Sequence, residues 1–342
     1  MKFEPAVDKP ALMETIRQAY GYPVSSLTFF PEGTVGCHYI ADCDDGQRYF
    51  VTLLNDGALA TIQAERLDFI LTLRSSLYER GLFTAQPALH RTLDGKLKVY
   101  FDGQPLTVSE FIDGGNIWDH WPPNADLGAE LGRLAAQLHN TTPDLGMDVP
   151  YVEQFALPFE SVLHKTLADI DDNSLILRPG QRTLRELVQP RRETILQMLA
   201  RLRELGATAR QLNAPLVLVH TDMHGGNLIR TPNGKLIVVD WEGVMMAPAE
   251  FDLFIFMSDG FDSMLTEYLR TARNPHLYPE LFSYYFYRRN LEDITYFFVS
   301  ILYENTMDEQ DQVDLGYLQH DCLDNWLNIE SDVQHVRQRL SG

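Results

Sequence analysis

Apolar and polar positions follow two different periods in the first third of the chain. The β-rich runs read LTFFPEGTVGCHYIAD and GQRYFVTLLN, and turns that contain glycine separate them. From residue 58 to residue 80, apolar side chains recur at helical spacing. The later segment LKVYFDGQPLTVSEFI returns to strands, which an Asp102-Gly103 turn joins as a hairpin. The pattern predicts a small antiparallel sheet carrying one long helix over residues 1–112.

Helical spacing dominates the remaining residues, 113–342. Leucines and alanines recur from Asp126 to the residues before Thr141 as one amphipathic face, and a second helix is predicted around residues 190–212. We therefore expect two domains, an N-terminal lobe of residues 1–112 and a mostly helical C-terminal lobe of residues 113–342. The predicted class is α+β with two lobes.

Two short apolar runs interrupt the helical pattern. They read LVLVH at residues 216–220 and KLIVVD at residues 235–240. The turn residues Pro232, Asn233 and Gly234 precede the second run, and we predict that the two runs pair as a hairpin across this turn.

Composition and charge narrow the functional classes. The 342 residues include 48 acidic and 28 basic side chains, which give a formal net charge of −20. A chain of this sign repels phosphate backbones and attracts small cations, so we expect no nucleic-acid partner and a cationic substrate. No run approaches the roughly 18 to 20 apolar residues of a membrane span, and the first residues lack the order of a signal peptide. We expect a cytoplasmic monomer or homodimer that does not enter a membrane.

Polar residues with catalytic chemistry cluster in LVLVHTDMHGGNLIRTPNGKLIVVDWEG. Asp222 could take the proton from a substrate hydroxyl, and Asn227 offers an amide oxygen to a divalent cation. Asp240 ends an apolar run as a second hard oxygen ligand, and Glu242 could add or orient another. Mg²⁺ takes one or two carboxylates together with water and phosphate oxygens, so these residues and a nucleotide form a reasonable shell.

The motif H-T-D-M-H-G-G-N, followed by V-V-D-W-E, resembles the catalytic and metal-binding loops of the aminoglycoside phosphotransferases. Choline kinases and protein kinases share the wider arrangement, and the order of residues is most similar to the spectinomycin-type enzymes. The resemblance implies a bilobal protein-kinase-like fold, with ATP or GTP as co-substrate. It further implies that Asp222 is the catalytic base, that Asn227 and Asp240 hold magnesium, and that His220 supports the loop.

Two other interpretations of the motif stay open. Asp222 and Asn227 could be turn residues that cap backbone groups, the common role of Asp and Asn in loops. Alternatively, His220, Asp222 and His224 could bind a metal directly for hydrolysis, since H-x-D-x-H supplies suitable ligands. The second alternative requires further histidine ligands, and the later histidines have no comparable setting.

The same resemblance places a nucleotide on the N-terminal lobe. Gly33 and Gly36 lie where related kinases cover the phosphates with a loop between their first two strands. Backbone groups of Glu110 and Ile112 would meet the adenine edge in the link between the lobes. Thr52 stands at the position where family members have a lysine that holds the α- and β-phosphates.

The absent lysine leaves three alternatives. No lysine occurs between Lys9 and Lys96, so a shift in alignment cannot restore it, and a threonine hydroxyl supplies no positive charge. Arg48, Lys98 or another base could replace it, or the nucleotide could bind in another pose. The chain could also be a degenerate member that binds a ligand without phosphorylating it. Because the base and both metal ligands are retained, we favour an active kinase.

The predicted reaction transfers the γ-phosphate of ATP or GTP to a hydroxyl of a small cationic molecule. An aminoglycoside, an aminocyclitol or an amino alcohol would fit. Acceptor recognition would fall to the helical lobe, where the run YYFYRRNLEDITYFF provides acids and aromatics. Individually, these rings are more typical of a helix core.

Overall fold

The computed structural model describes residues 4–31, 36–54, 58–257 and 259–341. The chain divides into two compact units. The first comprises Met1–Asn124, Ala136–Asp148 and His220–Val244, and the second comprises Ala125–Ala135, Val149–Val219 and Met245–Gly342. The segment that carries the predicted chemistry therefore belongs to the same unit as the N-terminal sheet.

Strands and helices occupy the following ranges. The strands are β1 (Val24–Phe30), β2 (Gly36–Cys43), β3 (Arg48–Leu54), β4 (Val99–Phe101), β5 (Gln104–Glu110), β6 (Gly115–Asn116), β7 (Val217–Val219), β8 (Leu228–Arg230), β9 (Leu236–Val238) and β10 (Met245–Ala247). The helices are α1 (Lys9–Tyr20), α2 (Ala58–Glu79), α3 (Ala125–His139), α4 (Glu160–Asp171), α5 (Pro179–Val188), α6 (Arg192–Gln211), α7 (Glu250–Leu253), α8 (Phe261–Thr271), α9 (Pro279–Val299), α10 (Asp308–Tyr317) and α11 (Ile329–Ser341). This content confirms the predicted α+β class.

The N-terminal sheet is antiparallel, with the strand order β1-β2-β3-β5-β4. Successive side chains of a strand point to opposite faces, and Tyr39, Val51 and Val108 lie fully buried in the core that the sheet shares with α1. His38 and Thr52 are register partners on the other face, where both are half-buried. The sheet thus has one face in the core and one face that carries polar side chains.

Turn chemistry explains the predicted β4–β5 hairpin, which is confirmed. Asp102 and Gly103 both adopt positive φ, 49° and 80°, as a two-residue type I′ turn requires. The helix predicted over residues 58–80 is also confirmed, as α2. Gly81 follows it with a φ of 67° in the left-handed region that commonly ends helices.

The predicted hairpin between LVLVH and KLIVVD is wrong. β9 pairs with β8 across Pro232–Gly234, with Leu228 opposite Val238, whereas β7 pairs with β10. Strands β8 and β10 have only three residues each, too few to show a period, so only the two longer apolar runs were recognisable. The correct pairing places Asn227 at the start of the β8–β9 hairpin and Asp240 just after its end.

Helix α9 contacts α4, α6, α7 and α11 in the second unit. The aromatic run YYFYRRNLEDITYFF lies on α9, and Tyr284, Tyr285 and Phe298 are fully buried. Most of these rings therefore belong to the core. None of the helices among the described residues combines the length and apolar character that a membrane crossing requires.

A buried ion pair joins α9 to the segment before α4. Arg288 donates from Nη1 to Glu153 Oε2 at 2.7 Å and from Nε to Glu292 Oε1 at 2.9 Å. The side chains of Arg288 and Glu153 are only 16% and 3% exposed, and the guanidinium also lies 5.3 Å from the ring centre of Phe251. A charge this deeply buried depends on its partner, because water cannot replace it.

Replacing Arg288 by Ala should lower the free energy of unfolding by about 3–5 kcal/mol, since Glu153 would stay buried without its cation. Arg289→Ala is the matched control, because its i,i+4 pair with Asp293 is 40% and 37% exposed. Losing this exposed pair should cost under about 1 kcal/mol. Urea titrations of the three proteins measure both changes, and equal losses would contradict the role assigned to burial.

Candidate active site

The loop that carries the predicted chemistry begins directly after β7. His220 is fully buried, and its ring meets the Trp241 ring edge to face at a centroid distance of 5.1 Å. Thr221 and Asp240 both adopt left-handed backbone conformations, with φ of 77° and 66°. For a β-branched threonine this region is disfavoured by an amount on the order of 1–3 kcal/mol. Strain of this kind concentrates at functional sites and persists only where the surrounding structure holds it.

Asn227 holds Asp222 in a fixed orientation. Its amide Nδ2 donates to Asp222 Oδ2 at 3.0 Å and to the Asp222 carbonyl at 2.9 Å. Because the nitrogen is committed to Asp222, the amide oxygen is the part of the Asn227 side chain that can take a cation. The loop thus positions a carboxylate acceptor and a neutral oxygen ligand with the same two hydrogen bonds.

His224 is fixed beside the same carboxylate. Its Nδ1 accepts the N–H of Gly226 at 3.0 Å, so a neutral ring carries its proton on Nε2. Nε2 lies 3.4 Å from Asp222 Oδ2.

The sequence singled out His224 only as a possible metal ligand for hydrolysis, yet no group of three or more His, Cys, Asp or Glu residues in the described ranges could hold a metal ion. The hydrolase interpretation has no support, and His224 instead lies against the predicted base.

The β8–β9 hairpin connects the two halves of the predicted site. Val239 donates its N–H to the Asn227 carbonyl at 3.0 Å, which ties the residue before Asp240 to the loop that carries Asp222. Trp241 lies in the core at 2% exposure and donates from Nε1 to the Val238 carbonyl at 3.1 Å. The structure therefore agrees with Trp241 as a packing residue that anchors this segment.

The surroundings of the Asp240 carboxyl disfavour its ionised form, although the residue is exposed at the surface. The surrounding protein displaces water from the carboxyl and raises its pKa above the ordinary value for aspartate, and the negative charge of Asp222 raises the pKa further. The basic groups that oppose this rise are His220, His224 and Arg74. A cation bound at Asp240 would stabilise the carboxylate against both effects.

Glu242 provides a second sign of an incomplete cation shell. Its Oε2 is buried, and no hydrogen-bond donor among the described residues reaches it. An ionised oxygen removed from water without a partner is costly unless a cation or a proton accompanies it. Asp240, Glu242 and the amide oxygen of Asn227 fit the hard oxygen ligands that Mg²⁺ prefers.

Gly243 allows the two loops to approach one another. A Cβ on Gly243 would overlap the Thr221 hydroxyl and lie 3.1 Å from the His220 carbonyl oxygen. A side chain at this position would therefore displace one of the loops. The close approach of the two loops therefore explains why a glycine follows D-W-E, which the sequence alone did not reveal.

Two tryptophans beside the loop carried no signal in the sequence. Trp118 is 50% exposed, and its ring lies edge to face with His224 at 5.5 Å. The preceding residue, Ile117, donates its N–H to the Gly225 carbonyl at 3.0 Å. A Cβ on Gly225 would come within 3.0 Å of the Trp121 ring. Both tryptophans therefore lie against the predicted catalytic loop, and the Trp118 ring is also exposed to solvent.

The predicted nucleotide-binding residues lie in the same unit as the loop. Gly36 is the first residue of β2, whereas Gly33 lies outside the described residues. Thr52 is on the partly exposed face of the sheet. Glu110 ends β5 and donates its N–H to the Ala88 carbonyl at 2.8 Å, and Ile112 follows two residues later.

Neither named substitute for the absent lysine lies at Thr52. Arg48 pairs with Asp113 at 3.8 Å, and its guanidinium lies 4.2 Å from the Phe111 ring centre. Lys98 is held by Asp68 at 2.7 Å. Both cations already have partners at other positions.

A family model for the phosphotransferase enzyme family (APH) matches residues 38–294, about three quarters of the chain. The chain belongs to this family. The predicted resemblance to aminoglycoside phosphotransferases and choline kinases is thereby confirmed, and so is the enzyme class, a small-molecule kinase, at the level of the family. One curated relative is a homoserine kinase of Xanthobacter autotrophicus (strain ATCC BAA-1158 / Py2), 30% identical over 132 residues. That match spans 37% of this chain and 37% of the relative's own length.

Solved structures of the family share the fold. Spectinomycin phosphotransferase APH(9)-Ia, in complex with ADP and spectinomycin, is 18% identical with a TM-score of 0.75, over 92% of this chain and 94% of that chain. An aminoglycoside phosphotransferase from Alicyclobacillus acidocaldarius subsp. acidocaldarius DSM 446 is 14% identical with a TM-score of 0.62, over 99% and 98%. The choline kinase LicA from Streptococcus pneumoniae is 16% identical with a TM-score of 0.53, over 91% and 98%. These likenesses confirm the kinase-like fold.

Substituting Gly243 by Ala should lower kcat by about 100-fold, because a displacement of about 1 Å at a catalytic loop has an effect of this size. Gly115→Ala is the matched control, since a Cβ there meets no atom within 4 Å and its backbone is not left-handed. Steady-state assays, with thermal unfolding to verify that each variant folds, compare the two. Equal activity of the two variants would contradict the steric argument.

Proposed function

We propose that this protein transfers the γ-phosphate of ATP or GTP to a hydroxyl of a small cationic acceptor. The observation that carries the proposal is the Asp222 carboxylate, held by Asn227 in a loop that Val239 ties to Asp240. A base, an amide oxygen and a second carboxylate are thus brought into one hydrogen-bonded segment. This is the set of groups that phosphoryl transfer to an alcohol requires.

Asp222 acts as the base in this mechanism. Its Oδ2 accepts from Asn227, which orients the carboxylate, and the carboxylate takes the proton of the acceptor hydroxyl as the oxygen attacks the γ-phosphorus. The nucleoside diphosphate leaves as the bond to the γ-phosphate breaks, and the proton stays on Asp222 until solvent removes it. His224, fixed through Gly226, places an N–H beside the reacting groups.

Asn227, Asp240 and Glu242 would hold magnesium. When bound, Mg²⁺ neutralises the charge that develops on the phosphate oxygens. Asp240 and Glu242 are suited to this role because Asp240 has a raised pKa that a nearby cation would lower, and Glu242 has a buried oxygen that no described donor reaches.

The acceptor class follows from charge and from one exposed ring. A net charge of −20 favours a cation over an anion in the encounter. Trp118 lies against His224, which in turn lies 3.4 Å from Asp222, so an acceptor at the base would pass beside the indole. An indole face stabilises cations and covers apolar ring surface. These features favour a cationic acceptor, such as an aminocyclitol, an aminoglycoside or choline, over the zwitterion homoserine.

Asp222→Asn should reduce kcat by about 10² to 10⁴, because the amide keeps the shape of the side chain but cannot take the proton. Asp119→Asn, an exposed acid near the same loop, is the control and should retain activity. Release of ADP or GDP is followed with Mg-ATP and Mg-GTP over spectinomycin, other aminoglycosides, choline, homoserine and sugars.

The same assay separates the alternatives. Full activity of Asp222→Asn would refute the assignment of the base. Ligand binding by the unaltered protein without turnover under either nucleotide would instead favour a degenerate kinase that acts as a binding protein.

Trp118→Ala should raise KM for a cyclic cationic acceptor by about 3- to 30-fold, which corresponds to about 0.5–2 kcal/mol of cation–π and stacking energy. Trp118→Phe should recover part of the loss. Tyr100→Ala removes an equally exposed aromatic, at 59%, and should leave KM unchanged. An unaltered KM in Trp118→Ala for every cyclic acceptor would show that the indole does not contact the substrate.

A further inference from the structure

The face of the sheet that carries Thr52 also carries a histidine. His38 and Thr52 are opposite each other on β2 and β3, and His38 Nδ1 lies 3.1 Å from Thr52 Oγ1. The imidazole stacks on the Phe50 ring at a centroid distance of 5.3 Å and an interplanar angle of 23°. Among the described residues, the base that contacts Thr52 is therefore His38, since Arg48 and Lys98 are held elsewhere.

Gly36 leaves room above this pair. A Cβ on Gly36 would lie 3.2 Å from His38 Cε1 and 3.3 Å from Thr52 Cγ2, closer than ordinary contact. Any larger residue would press on the ring and the threonine together. The residue that begins β2, after the predicted phosphate loop, thus leaves the His38–Thr52 pair uncrowded.

The protonation state of His38 determines how many hydrogen-bond donors the His38–Thr52 pair presents to a ligand. When the imidazole is neutral, one proton lies between Nδ1 and Oγ1, so the pair has a single outward donor, either Nε2–H or Oγ1–H. When the imidazole is protonated, Nδ1–H donates to Thr52, and both Nε2–H and Oγ1–H are free to donate outward. Protonation therefore turns one outward donor into two donors and a positive charge, which matches a phosphate group.

We propose that His38 and Thr52 together bind phosphate oxygens of the nucleotide in place of the absent lysine, and that His38 takes up a proton as the nucleotide binds. This inference rests on the proposed function, because it assigns the nucleotide contact of the same site.

The surroundings of His38 favour a neutral ring before binding. The pKa of His38 is lowered to about 4, chiefly because burial disfavours the protonated ring. The neighbouring strands contribute Phe30 from β1 and Phe50 and Thr52 from β3, none of which is charged at neutral pH. A phosphate anion stabilises the protonated ring, so the pKa is higher in the complex. Binding must then tighten as the pH falls, between the pKa of the complex and the pKa of the free protein.

The test measures ADP and Mg-ATP binding by calorimetry without any acceptor, at about pH 6 and pH 8, in buffers of different ionisation enthalpy. The unaltered protein should take up a proton and should bind more tightly at the lower pH. His38→Asn keeps a hydrogen bond to Thr52 but cannot gain charge, so it should bind about 10-fold more weakly at pH 6 and lose the extra proton uptake. Ionisation of the nucleotide itself is common to both proteins and cancels in the comparison.

A rescue experiment locates the contact. Thr52→Lys in the His38→Asn background should restore affinity and remove the pH dependence, because lysine carries its charge throughout this range. Thr28→Lys adds the same charge at an exposed position of β1 and is the control, with no rescue expected. Equal affinity and proton uptake in the unaltered protein and His38→Asn would overturn the inference, as would an equal effect of the two lysines.

These results are separable from the proposed function. If the protein phosphorylates an acceptor and its nucleotide affinity does not depend on His38, only this inference is overturned. Nucleotide binding that depends on His38, without turnover of any acceptor, would support this inference and contradict the proposed kinase activity.

Discussion

The hydrogen bond from Asn227 Nδ2 to Asp222 Oδ2 is the interaction on which the rest of the site depends. A bond to a charged acceptor contributes about 1.5–3 kcal/mol, the same order as the backbone strain of a β-branched residue at positive φ. The strained turn at Thr221 is therefore balanced by a small number of contacts. Close approach at Gly243 and the tie from Val239 supply the others.

The acidic side chains of the same segment favour the binding of a cation. Loss of water around the Asp240 carboxyl and the neighbouring acid Asp222 both oppose ionisation of Asp240, and Glu242 has a buried oxygen that no described donor reaches. Neither arrangement favours an ionised acid in a protein that only folds, because each removes some of the water that would stabilise the negative charge. Both become favourable when a divalent cation and a polyphosphate enter together. The free energy that these acids cost the free protein is recovered when the complex forms.

Much of the fold could be predicted from the sequence, because its longer elements have clear periods and matching turn residues. The Asp102-Gly103 hairpin and helix α2 are examples in which local chemistry and tertiary structure agree. The pairing of β7 with β10 could not be predicted, since three-residue strands have no period and their partners are chosen by tertiary packing. Trp118 was missed for a related reason, because its place beside His224 depends on the β6–β8 pairing.

The sheet face around Thr52 is a costly place for a permanent positive charge, and the His38–Thr52 pair avoids this cost. A permanent cation on a half-buried sheet face needs a counter-ion in the free protein, and leaving it without one costs several kcal/mol. A half-buried imidazole with a pKa of about 4 avoids that cost, since it stays neutral until an anion arrives. The charge is then created in the complex, where the phosphate compensates it. On this proposal, the protein carries no unpaired cation on this face before the nucleotide binds. A lysine would be charged at all times, whereas His38 becomes charged only when the phosphate is present.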